Sequence, residues 1–114
     1  MTKLFDMKCS AGGQAKALSD AEIASNLAML TGWKIEKNEI VKAFTFKNYH
    51  ETIAFVNASA WISHREDHHP DIGLHYNRCV VHYSTHDAGG TSNKGGITLN
   101  DFICAAKLDQ LFAQ

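Results

Sequence analysis

Hydrophobic positions along this chain switch repeatedly between a helical and an extended period. Ser19-Asp20-Ala21-Glu22 has the spacing of a capping box, in which the serine and glutamate side chains each satisfy a backbone donor at a helix start. Ile23, Leu27 and Leu30 follow as an apolar stripe at helical spacing, and Gly32 is placed to end that helix. Trp33 to Phe46 reads as two strands with a turn near Lys37-Asn38-Glu39. Ile40, Lys42, Phe44 and Phe46 alternate there with Val41, Ala43 and Thr45, so the two sets face opposite ways. Tyr49 to about Asp67 is the longest helical segment. Ile53, Val56 or Asn57, Ala60 and Trp61 keep its period, and Phe55 and Ile62 widen the stripe. Pro70 cannot continue a helix and biases His69 toward extended conformations. A short strand around 72–76 and a longer one at 79–85 follow, joined by a turn at Asn77-Arg78. Gly89 to Gly96 holds four glycines and reads as a loop. Thr98 or Asn100 caps a last helix with an apolar face of Phe102, Ile103, Ala106 and Leu111.

The order is helix, two strands, helix, two strands, helix. Strands joined by short turns pair antiparallel. The expected class is therefore α+β, a four-stranded antiparallel sheet with about three helices packed on one face. Residues 1–18 read as an irregular N-terminal arm and residues 19–114 as a single domain. A sheet covered on one side leaves its other face and its helix edges for solvent or another subunit, which predicts a homodimer or homotetramer.

Composition narrows the functions. At 114 residues the chain has room for one core. Eleven basic against twelve acidic residues give no electrostatic footprint for nucleic acid or an anionic membrane. The polar N-terminus is no signal peptide, and no stretch approaches the ~20 apolar residues needed to cross a bilayer, so a cytoplasmic location is expected. Cys9, Cys79 and Cys104 are an odd count without a CxxC, which supports neither a disulfide framework nor a structural zinc site. Cys79 and Cys104 fall in apolar segments and read as small buried hydrophobes.

The seven histidines change the picture, because six lie between His64 and His86. On the strand at 79–85, Cys79, Val81, Tyr83 and Thr85 share the face that suits the core; Val80, His82, Ser84 and His86 share the other. His86 falls at the strand end, and His68 and His69 leave the central helix, so three imidazoles can converge on one cleft. The cluster reads in three ways. It is a set of surface and structural histidines, or a metal site built on His64 and His68 with His82 and His86, or a metal-free acid/base site of His68, His69 and His86. Imidazole suits the last because its ordinary pKa of about 6.5 allows proton transfer near neutral pH. The pattern alone leaves the last two readings open.

The spacing His64-x-x-x-His68-His69-Pro70, then Tyr76, His86 and Asp101, resembles the signature of the pterin-4a-carbinolamine dehydratases. The run Ser84-Thr85-His86-Asp87-Ala88-Gly89-Gly90 is also similar to that family, and the likeness spans roughly residues 19–112. The resemblance implies a cytoplasmic enzyme, without metal or cofactor, that removes water from 4a-hydroxytetrahydropterin. Its product would be the quinonoid dihydropterin of tetrahydrobiopterin recycling, which links it functionally to an aromatic amino-acid hydroxylase. It implies His68, His69 and His86 as active-site histidines, with Asp101 a further catalytic candidate. Pro70, Thr85, Asp87 and Ala88 then join the three histidines as pterin-contacting residues. Asp101 also reads as an acid stabilised by a helix N-terminus. His50, His64, His75 and His82 read as surface or structural residues, and Trp33 and Trp61 as core. The same family includes dimerisation partners of a transcription factor, so a protein-binding role is the alternative to catalysis.

Overall fold

The computed structural model describes residues 3–11, 14–86 and 96–113. Ser19 opens α1 (Asp20–Leu27), accepting from the Glu22 backbone while the Glu22 carboxylate accepts from the Ser19 backbone, so the capping box forms as its spacing requires. The helix ends five residues before Gly32, which instead takes a positive φ of 86° in the turn into β1 (Lys34–Glu36). Lys37 and Asn38, both at positive φ, make the tight turn into β2 (Glu39–Thr45). Asn48 caps α2 (Tyr49–Glu66) by accepting from the Glu51 backbone. β3 (Asp71–Leu74) and β4 (Arg78–Tyr83) follow, and Thr98 stands as N-cap of α3 (Leu99–Phe112).

The strands form one antiparallel sheet in the order β1-β2-β4-β3. The central pairing sets Ile40 opposite Tyr83, Lys42 opposite Val81 and Phe44 opposite Cys79. Those residues, Lys42 excepted, join Trp33, Phe55, Phe102, Ile103 and Leu108 in a single core on the helix side. Lys42 has the same parity yet stays polar. Its Nζ donates to Asp109 at 2.8 Å and to the Thr31 carbonyl at 2.8 Å, and Trp33 Nε1 donates to the same carboxylate. A partly buried ammonium needs such partners.

The structure keeps Phe55, Val56 and Ile62 of the expected α2 face against the core and corrects the places of Asn57, Ala60 and Trp61. The buried residues of α2 are Thr52, Phe55, Ser59, Ser63 and Glu66, while Asn57, Ala60 and Trp61 are exposed, Trp61 by 73%. Small hydroxyl side chains let the helix sit close to its neighbours, and two of them bond back to main chain. Thr52 donates to the Asn48 or Tyr76 carbonyl, and Ser59 donates to that of Val56. Trp61, expected in the core, therefore stands on the outer surface.

Candidate active site

Two chain reversals build the site. At the end of α2, Asp67 adopts the left-handed conformation, and the Asp67 and His68 backbone N–H groups donate back to the Ser63 carbonyl. This turn directs His68 across to the start of α3. Beyond β4, Thr85 and Gly96 exchange two backbone hydrogen bonds of 2.8 and 2.9 Å, which ties the end of the strand to the segment leading into α3. A Cβ at Gly96 would lie 3.3 Å from that of Ala17, so this close approach favours glycine.

The side chains brought together are His68, Tyr83, Thr85, Thr98 and Asp101. His68 Nε2 lies 2.6 Å from Asp101 Oδ1. Asp101 has no exposed surface, and its Oδ2 accepts from the Thr98 backbone at 2.8 Å and from the Thr85 hydroxyl at 3.0 Å. With the Thr85 proton committed to Asp101, Thr98 donates its own to Thr85 across 2.8 Å. A carboxylate accepts only, so Nε2 of His68 carries its proton, and Nδ1 holds the lone pair of the neutral ring. The His68 ring also stacks on Tyr83, with centroids 5.7 Å apart and planes 6° from parallel. Burial first, then the nearby Cys104 thiol and the Asp101 carboxylate, push the Tyr83 phenol up, so it stays protonated.

Asp101 stands where its helix-terminus reading puts it, in the first turn of α3, and also touches a candidate catalytic histidine, His68. His69 and His86 are exposed, one residue beyond His68 and Thr85 respectively, and Pro70, next to His69 in the chain, is half-buried. Asp87 and Ala88 lie outside the described residues. His64 lines a groove with Ala60 and Trp61 on α2, whereas His82 pairs with Glu39 at 3.1 Å on the opposite face of the sheet. The four histidines of the metal reading are thus not gathered, and among the described residues no group of three metal-binding side chains forms. Tyr83 and Thr98 also stand in this cluster; the helix-cap pattern marks Thr98 in the sequence, but no motif marks Tyr83. The only sequence signal for Tyr83 was its parity with Thr85.

Comparison with known proteins points to one family. The model of the Pterin 4 alpha carbinolamine dehydratase family matches residues 16–111. A Chromobacterium violaceum protein named "Putative pterin-4-alpha-carbinolamine dehydratase" is 50% identical over 96% of this chain and 95% of its own. One of the same name from Nitrosospira multiformis is 55% identical over 88% of this chain and 83% of its own. A solved structure from Brucella melitensis, described as a transcriptional coactivator/pterin dehydratase, superposes with a TM-score of 0.75 at 28% identity. It covers 84% of this chain and 98% of that one.

Proposed function

Since the chain belongs to the pterin-4a-carbinolamine dehydratase family of hydro-lyases, we propose that it converts 4a-hydroxytetrahydropterin to quinonoid dihydropterin by histidine acid/base catalysis without a metal. The observation that carries this reading is the His68–Asp101 pair, a ring held in one tautomer by a carboxylate with no exposed surface. In the reaction the C4a–O bond breaks, the departing hydroxyl takes a proton and leaves as water, and the neighbouring ring N–H loses a proton as the C=N bond forms. His68 Nδ1 is one proton carrier. The exposed His86 imidazole is the other, and His69 orients the pterin ring beside Pro70 and Thr85. Each well-placed imidazole is worth roughly 10²–10⁴-fold in rate. Asp101 fixes His68 and stabilises its imidazolium, much as a buried carboxylate does for a catalytic histidine elsewhere. Asp87 and Ala88 complete the pterin contacts in this reading.

The test is a substitution series. Purified His68→Ala and His86→Ala proteins should each lose at least about 10²-fold in dehydration rate. Near-normal rates in both would remove the assignment.

A role in tetrahydrobiopterin recycling beside an aromatic amino-acid hydroxylase, in the cytoplasm, follows from the same reading. Among the described residues no helix is long and apolar enough to cross a membrane. Self-association also belongs to the reading, supported by the exposed stripe of α2 around Trp61. The protein-binding alternative draws on the same stripe and on the description of the Brucella melitensis protein. Binding would survive loss of the histidines and dehydration would not.

A further inference from the structure

Residues 3–11 are fastened to the domain by polar contacts that the dehydration chemistry does not use. The Cys9 backbone N–H donates to Glu66 at 2.8 Å, and Ser10 and Asn100 exchange hydrogen bonds of 2.9 and 3.2 Å. Lys107 donates to the Phe5 carbonyl at 2.9 Å and lies 3.6 Å from Glu66. These contacts hold Cys9 Sγ 3.6 Å from Cys104 Sγ. Cys104 is fully buried in α3, and Cys9 is half-buried on a segment of neither helix nor strand.

From this juxtaposition we propose that Cys9 and Cys104 form a reversible oxidation site, which a hydroperoxide closes into an intrachain disulfide clasping the N-terminal arm to α3. A disulfide needs the sulfurs at about 2.05 Å, so they must approach by about 1.5 Å. The irregular backbone around Cys9 can supply that movement and the helix around Cys104 need not. Cys9 is the sulfur that meets the oxidant. Cys104 is closed off, and its hydrogen bond with Cys9, then burial, keep it a thiol. Attack of the Cys9 sulfur on hydrogen peroxide breaks the O–O bond and gives a sulfenic acid and one water. Cys104 then attacks that sulfur, the S–O bond breaks, and the Cys104 proton leaves with the hydroxyl as a second water. Two thiols and one peroxide yield one disulfide and two waters. Cys104 lies one helical turn beyond Asp101, so the clasp fixes the arm to the helix that carries the His68 partner.

Cys79 provides an internal reference. It is fully buried in β4, and burial pushes its thiol up to about 11. Trypsin separates the three cysteines into peptides 9–16, 79–94 and 95–107. The native full-length protein is treated near neutral pH with a few equivalents of hydrogen peroxide, alkylated after denaturation and digested. The expected result is a loss of two hydrogens in intact mass, a cross-link joining 9–16 to 95–107, and alkylated Cys79. Dithiothreitol restores the original mass, and the urea midpoint of the oxidised protein rises because a long loop is closed. Cys9→Ser abolishes the mass change. A sulfinic acid on Cys9 with Cys104 alkylated, cross-links between chains, a Cys79 cross-link, or no reaction with excess peroxide would each overturn the proposal.

Discussion

His68 at the end of α2 and Asp101 in the first turn of α3, 33 residues apart in sequence, meet through one hydrogen bond of 2.6 Å in the interior. The carboxylate gains from its place at a helix N-terminus, where unpaired N–H groups attract negative charge. It also satisfies two further donors, Thr98 N–H and the Thr85 hydroxyl. One side chain thus caps a helix, ties down the end of β4 and orients a histidine.

Asp101→Asn tests that arrangement. An amide oxygen turned to His68 puts its NH₂ against two donors; turned the other way, the NH₂ meets the Nε2–H. The first leaves buried donors unsatisfied, and the second is relieved only if the His68 proton moves to Nδ1, the nitrogen the chemistry needs free. The variant should lose about 1–3 kcal/mol of stability in urea melts and roughly 10²-fold in turnover. Unchanged stability and unchanged kcat together would contradict the assigned partners.

Tyr83 separates the ring from its hydroxyl. The hydroxyl is buried and has no hydrogen-bond partner among the described residues, while the ring stacks on His68. Tyr83→Phe should therefore keep activity and gain about 0–1 kcal/mol of stability. Tyr83→Leu should cost roughly 2–3 kcal/mol and lower kcat, because the ring that supports His68 is gone. Thermal melts and steady-state rates on both variants distinguish ring from hydroxyl.

Glu66 supplies a pH dependence. Burial raises its carboxyl, but the Cys9 backbone hydrogen bond and Lys107 outweigh that, so the group lies below its ordinary 4.5. A depressed folded value means stability that is fully present above the unfolded pKa and lost as the pH falls through the folded one. Glu66→Gln should be less stable than wild type by about 1–2 kcal/mol at neutral pH. The gap should hold above the ordinary carboxyl value and close as the pH falls through and below it. A gap that widens in acid would reverse the sign assigned to Glu66. Urea titrations at several pH values provide the reading.

The exposed stripe of α2 gives a solution prediction. If Trp61 seats against a second copy, Trp61→Glu should lower the mass in light scattering toward that of the monomer without changing the melting temperature of the domain. A monomeric wild-type protein at micromolar concentration would remove the self-association reading.

The sequence made some of this legible and hid the rest for physical reasons. The Ser19–Glu22 capping box and the Lys37-Asn38 turn are local, and both form as read. The parity of Cys79, Val81, Tyr83 and Thr85 is a strand property, and all four are buried. On α2 the hydrophobic pattern locates Phe55, Val56 and Ile62 against the core but not Thr52, Ser59 and Ser63, which are buried by being small, nor the exposed Trp61. The histidine cluster was visible as a density in the sequence. The outward place of His82 follows from strand parity and that of His64 from its helix position, whereas the separation of a mostly buried His68 from the exposed His69 and His86 depends on the Asp67 turn and the Thr85–Gly96 bridge, which no local pattern marks. The Cys9–Cys104 approach spans 95 residues and has no spacing signature.

The most direct test of the central claim is the rate of 4a-hydroxytetrahydropterin dehydration, followed by absorbance, for wild type and His68→Ala after both have been exhaustively chelated. Wild type that keeps its rate while His68→Ala falls at least about 10²-fold is the predicted result. A wild-type rate abolished by chelation and restored by a metal ion, or a His68→Ala rate equal to wild type, would contradict it.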